Sequence, residues 1–226
     1  MKAIYITTLL LGSIFLQAQP VEIVNQSDSI GRRQGMWVLR HENDKMSLCE
    51  NFVDGKRQGM SLQFYNNGML HNEFYFKDDL SHGTQRIYDN VGRIVNLNSH
   101  YLGKLDGVQI VYYPSGNKQE EMNFKMNVKH GPSVWYYQNE DTAAYYDYVD
   151  GNIHGKVKSY YEGAHIKSIA TYQENKQQGA YVSYHENGAI REKGMYVYDK
   201  REGKFYIYDE NGKLLKKETY IKGEKK

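Results

Sequence analysis

The chain has 226 residues, a formal net charge of +2, 22 tyrosines, three prolines and a single cysteine. A mean hydropathy of −0.77 together with 14% aromatic residues suits a thin sheet better than a thick aliphatic core. The near-neutral charge gives no reason to expect a nucleic-acid partner, and one cysteine excludes an internal disulfide.

The first 18 residues predict a secretory signal peptide. Lys2 precedes a mostly apolar run from Ile4 to Leu16, and cleavage is expected after Ala18. The run is short for a membrane span, and an uncleaved anchor is the alternative. Cys49 is far from the cleavage point, so no lipid-attachment cysteine stands there. We therefore expect a secreted protein, periplasmic or extracellular, with residues 19–30 as a flexible or edge-covering lead-in.

Residues 31–226 consist of one unit written eight times. Eight glycines recur every 24 residues without an insertion, and each is taken below as position 0 of its repeat: Gly35, Gly59, Gly83, Gly107, Gly131, Gly155, Gly179 and Gly203. A fixed period over the whole body indicates a single elongated repeat array rather than separate domains. These glycines are the structural anchors of the repeat.

Two turn signals divide each repeat. Position 9 is glycine in five repeats, and position 20 is always Gly, Asp or Asn. The runs between them, of about seven to ten residues, have strand length. The sequence thus predicts an all-β fold: an elongated, single-layer antiparallel β-meander of eight 24-residue hairpin repeats, with about sixteen short strands.

Two aromatic positions recur in the unit. Position 5 is aromatic from Phe64 to Tyr208, and position 17 is aromatic in every repeat except the third, which has His100. Segments such as Tyr65-Asn66-Asn67-Gly68 predict a three-residue hairpin loop with a left-handed glycine. Such a loop would keep the odd positions of both strands on one face, and the two aromatic rows would form continuous ladders there.

The repeat resembles a known family. The unit reads Gly-x4-Tyr-x2-Asn-Gly, followed by an apolar residue, an aromatic residue and a Gly/Asn-x3-Gly return. This pattern is similar to the MORN-type repeat, in the variant of the bacterial YwqK-like proteins. The resemblance covers residues 31–226 and implies an extended antiparallel meander that acts as a scaffold or binding surface. It also implies, for some relatives, an antitoxin or immunity-like role.

The sequence gives little support for catalysis or for a metal site. His82, His130 and His154 precede anchor glycines at a place where the other repeats have Gln, Asp or Glu, which indicates a polar loop residue rather than a shared metal site. Glu120 and Glu121 should point to opposite faces. Neither a Gly-x-Ser-x-Gly elbow nor a phosphate-binding loop is present in the sequence. We expect no enzymatic activity, no cofactor and no metal.

Position 6 is the most informative irregularity. It places Tyr113, Tyr137 and Tyr161 in register in three consecutive repeats, and Trp135 and Tyr145 have the same parity as Tyr137. Tyr and Trp concentrate binding energy at protein interfaces. We expect these five residues to form an exposed aromatic stripe that binds a partner. The alternative is that they pack within a thin or curled sheet.

The sequence therefore predicts a non-catalytic envelope scaffold that binds another protein through an aromatic-rich sheet surface. A carbohydrate- or membrane-surface-binding module using the same tyrosines is the alternative, since aromatic rings also contact sugars and lipid headgroups. An antitoxin or immunity-like role is a further one. The lysine-rich tail, residues 216–226, is expected to be a charged edge strand, or else a contact to an anionic membrane.

Overall fold

The computed structural model describes residues 24–226, so the predicted signal peptide and residues 19–23 lie outside it. Within the described chain there are twenty strands and no helix: β1 Gln26–Ser27, β2 Arg33–Arg40, β3 Met46–Val53, β4 Lys56–Phe64, β5 Leu70–Lys77, β6 Leu80–Ser81, β7 Gly83–Tyr88, β8 Ile94–Tyr101, β9 Lys104–Tyr112, β10 Lys118–Lys125, β11 Val128–Tyr136, β12 Thr142–Val149, β13 Asn152–Ile153, β14 Gly155–Tyr160, β15 Ile166–Gln173, β16 Lys176–Tyr184, β17 Ile190–Val197, β18 Lys200–Tyr208, β19 Leu214–Ile221 and β20 Glu224–Lys225.

The strands form one open antiparallel meander, which confirms the predicted all-β hairpin-repeat fold. Each long strand pairs with the strands before and after it in the chain. Sixteen strands have six to nine residues and four have two. Of the short ones, β6 and β13 continue into β7 and β14 after interruptions at His82 and His154, and β1 and β20 lie at the two ends of the array.

The turn at positions 19 and 20 is a tight two-residue hairpin in every repeat. Both residues have positive φ, as in Asp54 (51°) and Gly55 (81°), which is the signature of a type I′ turn. This explains the restriction of position 20 to Gly, Asp and Asn, the residues that best tolerate this backbone. The N–H of Gly55 also donates to the carbonyl of Arg33 at 2.9 Å, which ties the turn to the start of its own repeat.

The other hairpin has the three-residue loop that the sequence predicts. In repeat 2 the N–H of Tyr65 donates to the carbonyl of Met69, and the N–H of Gly68 donates to the carbonyl of Tyr65. Gly68 has a φ of 90°. Glu140, which replaces this glycine in repeat 5, adopts a φ of 71° and preserves the loop.

The predicted parity of the two strands is wrong, and a β-bulge is the reason. In repeat 2, Phe64 pairs with Leu70, but the preceding Gln63 pairs with Asn72, so His71 is an extra residue at position 12. The same shift occurs in every repeat, for example between Trp135 and Tyr136. A bulge moves all later side chains to the opposite face. Positions 5 and 17 therefore lie on opposite faces, not on one.

The anchor glycines lie at a second irregularity, where one repeat joins the next. Between the pairs Glu50↔Ser61 and Phe52↔Arg57, one residue of β3 faces three residues of β4, with Gly59 at the centre. All eight anchor glycines have positive φ, from 66° to 108°. A side chain with a Cβ is strained in this conformation, so the invariant glycine marks a bulge within a strand rather than a turn.

One face of the sheet holds the core. The buried residues all occupy positions 2, 4, 13, 15 and 17, and we call this side the packed face: Glu50, Phe52, Ser61, Phe76, Gln85, Asn98, Glu120, Met122, Ser133, Ala170, Ser183 and Phe205. Small and large residues alternate across strands here, as where Ser61 lies opposite Phe74. Polar members bond one another, for example Ser61 Oγ to Glu50 Oε1 at 3.0 Å.

Aromatic and cationic groups complete the packed face. Tyr196, Phe205 and Tyr220 form edge-to-face contacts with centroids 5.4–5.5 Å apart, a favourable geometry for aromatic rings. The Arg201 guanidinium lies 4.5 Å from the centre of the Phe205 ring, and Arg57 covers Phe76 at 4.0 Å in the same way. These contacts bury rings within a sheet that has a single layer.

Candidate interaction surface

The opposite side of the sheet, which we call the open face, carries positions 1, 3, 14 and 16. Within residues 24–226 all substantial contacts between strands join neighbours of one sheet, so no second layer covers it. Its side chains are half-buried or exposed, including Met60 (52% exposed) and Tyr75 (48%), which face each other across β4 and β5. An open apolar surface of this kind is typical of an interaction site.

A row of apolar side chains follows the middle of the open face, at positions 3 and 14. Register aligns Val38 with Cys49 and Leu62, Leu97 with Ile110, and Ile169 with Val182. All of these residues are half-buried. The row crosses the sheet from β2 to β16 and is interrupted by charged residues.

In the first five repeats the charges of this row are neutralised locally. Arg86 Nη1 contacts Glu73 Oε1 at 2.9 Å, and Lys118 Nζ contacts Glu121 Oε2 at 2.6 Å. Lys118 has a raised pKa because of its hydrogen bond to Glu121. The open face of this part of the chain therefore presents apolar groups between paired charges.

The predicted tyrosine stripe lies at the loop edge of the sheet. Tyr113, Tyr137 and Tyr161 each begin a three-residue hairpin loop, directly after a strand, and each is half-buried. Their hydroxyls donate to backbone carbonyls of the next repeat, at Tyr136, Tyr160 and Tyr184, over 2.8–2.9 Å. The three side chains are in register, as predicted, and they also join consecutive repeats.

Trp135 and Tyr145 do not share a face, contrary to the prediction. Trp135 pairs with Ala144 and Val134 pairs with Tyr145, so the bulge at position 12 places Trp135 on the packed face and Tyr145 on the open face. Trp135 is nevertheless 41% exposed. Burial raises the pKa of Tyr145, and its hydrogen bond to Asp147 at 3.0 Å adds to the effect.

The residues before the anchor glycines have a structural role that sequence reasoning missed. Six of the eight lie within a strand, and His82 and His154 lie between two strands. In five repeats the side chain accepts the N–H of position 19, as Gln58 Oε1 does from Asp78 at 2.8 Å. The other acceptors are Gln34, Asp106, Gln178 and Glu202. This bond explains the Gln, Asp and Glu preference, which had suggested a loop.

The described residues contain no group of three or more His, Cys, Asp or Glu side chains arranged to hold a metal ion. His130 Nδ1 lies 3.8 Å from Asp150 Oδ1, and Cys49 is half-buried on the open face. Residues 24–226 also include no helix long and apolar enough to cross a bilayer. What the described chain offers is an extended surface.

The fold and the open face define a β-hairpin repeat protein. Residues 105–126, 177–198 and 201–222 match the family model described as "MORN repeat variant". Each match spans the same window, from two residues before an anchor glycine to the first residue of the tight turn. Three of the eight repeats therefore match the MORN repeat variant, in agreement with the resemblance seen in the sequence, and the finer resemblance to the YwqK-like proteins stays a prediction.

Other comparisons give little further detail. A search of curated proteins found no significant match. The structure of a GtfA/B complex bound to UDP and GlcNAc is 12% identical with a TM-score of 0.23, over 48% of this chain and 21% of that chain. The TcdB2-TccC3 structure is 13% identical with a TM-score of 0.25, over 88% of this chain and 14% of that chain. The chain thus spans a small part of either structure.

Proposed function

We propose that this protein is a non-catalytic scaffold that binds another protein through the open face and the tyrosine edge. The tyrosine edge consists of Tyr113, Tyr137 and Tyr161, at the loop edge of the sheet. The observation that carries the proposal is the apolar row of positions 3 and 14, which runs from strand to strand and which no other part of residues 24–226 covers. Repeat arrays typically use such extended surfaces for recognition.

The tyrosine edge supports the same proposal by its rigidity. Tyr113, Tyr137 and Tyr161 are fixed by hydroxyl-to-carbonyl bonds, so their rings would lose little conformational entropy when a partner binds. Tyr145 extends this region onto the open face, next to Lys158 in register. Exposed Trp135 would contact only a partner that also reaches the packed face.

The predicted signal peptide supports a location in the envelope or the extracellular space. We propose that the chain is exported and cleaved after Ala18, so that it meets its partner outside the cytosol. Edman sequencing of the protein recovered from the envelope fraction should begin at Gln19. Recovery of the full-length chain from the cytosol would contradict this location.

Affinity capture from an envelope extract tests the binding function. The full chain should retain a specific protein, whereas a Leu97→Asn, Ile110→Asn variant should lose most of it, because two neighbouring apolar groups of the open face become polar. Thr84→Asn, Ser99→Asn is the matched control, since these two residues also pair on the open face but lie outside the apolar row.

The captured protein, once purified, should form one stoichiometric complex with the chain in light scattering. Circular dichroism would first establish that both variants keep the sheet. If neither the chain nor its control retains a protein, and the chain instead binds purified glycans or liposomes, the protein-scaffold proposal is wrong and the surface-binding alternative takes its place.

A further inference from the structure

Charge is distributed unevenly along the chain. Residues 155–226 contain 15 Lys and Arg against 10 Asp and Glu, whereas residues 1–154 contain 14 against 17. The last three repeats are therefore basic and the remainder is slightly acidic, although the formal charge of the whole chain is only +2. The near-neutral total conceals this segregation.

The basic excess is concentrated on the open face of β14 to β19. Its central row reads, strand by strand, Lys158, Ile169, Val182, Lys193, Tyr206 and Lys217. With neighbouring strands about 4.8 Å apart, Lys158 and Lys193 are separated by about 14 Å and Lys193 and Lys217 by about 10 Å. Cationic and apolar side chains thus alternate along the row.

The adjoining row, at positions 1 and 16, has the same character. Lys156 pairs with Thr171, Ala180 with Met195, and Lys204 with Thr219. No carboxylate occupies positions 1, 3, 14 or 16 in the last three repeats. Met195 is 54% exposed. It lines a shallow groove together with Ala180, Val182, Lys193, Tyr206 and one carboxylate, that of Glu202, which pairs with Met195 in register and already accepts the backbone N–H of Lys222.

None of these five lysines forms an ion pair with a carboxylate of residues 24–226. Lys193 and Lys217 instead lie over the Tyr206 ring, 5.8 and 5.9 Å from its centre. The open face of the earlier repeats differs, since Arg86 and Lys118 are each paired with a glutamate. The positive charge of β14 to β19 therefore remains available to a binding partner.

We infer that this basic apolar surface, defined as the open face of β14 to β19, binds an acidic protein segment in which carboxylates alternate with apolar side chains. The unpaired lysines attract the carboxylates of such a segment, and the groove beside Met195 accommodates its apolar groups. The inference rests on the proposed scaffold function and specifies the chemistry of its partner.

A protein segment fits better than the other polyanions. Double-stranded DNA carries a charge about every 1.7 Å along its axis, far denser than lysines about 10 to 14 Å apart. An anionic membrane would favour several bulky apolar groups that protrude. Of this surface only Met195 protrudes in this way, whereas Ile169, Val182 and Tyr206 are half-buried between their neighbours.

The test uses the full chain and fluorescent probes of defined composition. A peptide of alternating Glu and Leu should bind, and about fivefold more tightly than an equally charged peptide of Glu and Ser, because its leucines bury apolar area. Affinity should fall as salt rises from about 50 to about 300 mM. Phosphatidylglycerol vesicles and a single-stranded DNA are the competing probes.

The decisive variant is Lys193→Gln, Lys204→Gln, Lys217→Gln, which should weaken binding of the Glu-Leu peptide by about tenfold. The matched control, Lys200→Gln, Lys213→Gln, Lys222→Gln, removes the same charge from the same two repeats at positions off the open face, and should leave affinity nearly unchanged. Equal losses in both variants, or preference for vesicles or DNA, would overturn the inference.

The natural partner separates this inference from the proposed function. If the full chain captures a protein whose binding does not respond to the Lys193, Lys204, Lys217 variant, the scaffold function stands and the acidic-segment inference is wrong. If no protein is captured at all, the scaffold function itself is contradicted.

Discussion

Gly194 determines how closely Phe205 can approach the sheet. A Cβ at Gly194 would lie 2.5 Å from the Phe205 ring, and Phe205 is fully buried. Because the backbone of Gly194 has no positive φ, the requirement for glycine here is steric. We expect Gly194→Ala to destabilise repeats 7 and 8 by about 2 kcal/mol through overpacking, measured by urea unfolding.

A double mutant shows whether the destabilisation comes from steric overlap with Phe205 or from the strand propensity of residue 194. With Phe205→Ala already present, the ring is absent and Gly194→Ala should cost little. An unchanged cost in that background would show that Phe205 is not the cause.

The hydroxyl of Tyr137 joins repeats 5 and 6. It donates to the carbonyl of Tyr160 at 2.8 Å, so Tyr137→Phe should cost about 1 kcal/mol, the usual loss for one hydrogen bond, in the same unfolding measurement. Tyr198→Phe is the control, because Tyr198 is 69% exposed. Equal stability of the two variants would contradict a structural role for this bond.

At the scale of elements, the tight turns depend on position 20. Asp199 has a φ of 66°, and its Oδ1 accepts the N–H of Gln177 at 2.7 Å. Asp199→Asn should be nearly neutral, Asp199→Gly should lose the side-chain bond only, and Asp199→Ala should lose the bond and strain the backbone, by about 1–2 kcal/mol in all. Urea unfolding reports the order of the three variants, and equal stability of the Gly and Ala variants would contradict it.

The first element, β1, covers one end of the sheet and should respond to pH. The pKa of Asp28 is lowered from 3.8 to about 2, mainly because the backbone N–H of Arg32 donates to its carboxylate, with the Arg32 side chain also contributing and burial opposing. A lowered pKa means that the stabilisation is complete above pH 3.8 and is lost as the pH falls through about 2.

Trp37 reports this loss, since its Nε1 donates to the carbonyl of Gln26 at 3.1 Å. In a Trp135→Phe background, Trp37 fluorescence should change between about pH 4 and pH 2 as β1 detaches. Asp28→Asn keeps an acceptor but cannot titrate, so it should remove this transition. A transition that persists in the Asn variant would assign it to another group.

The sequence was sufficient to predict the strands and turns, but it did not reveal how the faces are arranged. Glycine and Asx spacing located both hairpins, and the three-residue loop agrees with the prediction, whereas the type I′ conformation of the other turn is known from the backbone angles only. The bulge at position 12 has no distinctive residue, since His71 and Ala143 both occupy it. Backbone register decides this feature, and it reversed the expected relation between Trp135 and Tyr145.

At the scale of the whole molecule, one layer serves as both core and surface. Aromatic, serine and amide side chains fill the packed face, and the open face is left with half-buried apolar rows. The sequence alone suggested a tyrosine-based contact, whose side chains the structure places at the loop edge. It did not indicate the basic apolar surface, because position 3 (Lys158) and position 14 (Lys193 and Lys217) share a face only through the bulge at position 12.

The most direct test of the proposed function compares the two faces of the sheet within one repeat. Trp135 and Tyr145 lie on paired strands but on opposite faces, so a photo-cross-linking amino acid can replace either one in the full chain. After irradiation in envelope extract, the probe at position 145 should become attached to a specific protein, and the probe at position 135 should give much less of that product. Attachment from position 135 alone, or from neither position, would contradict binding through the open face.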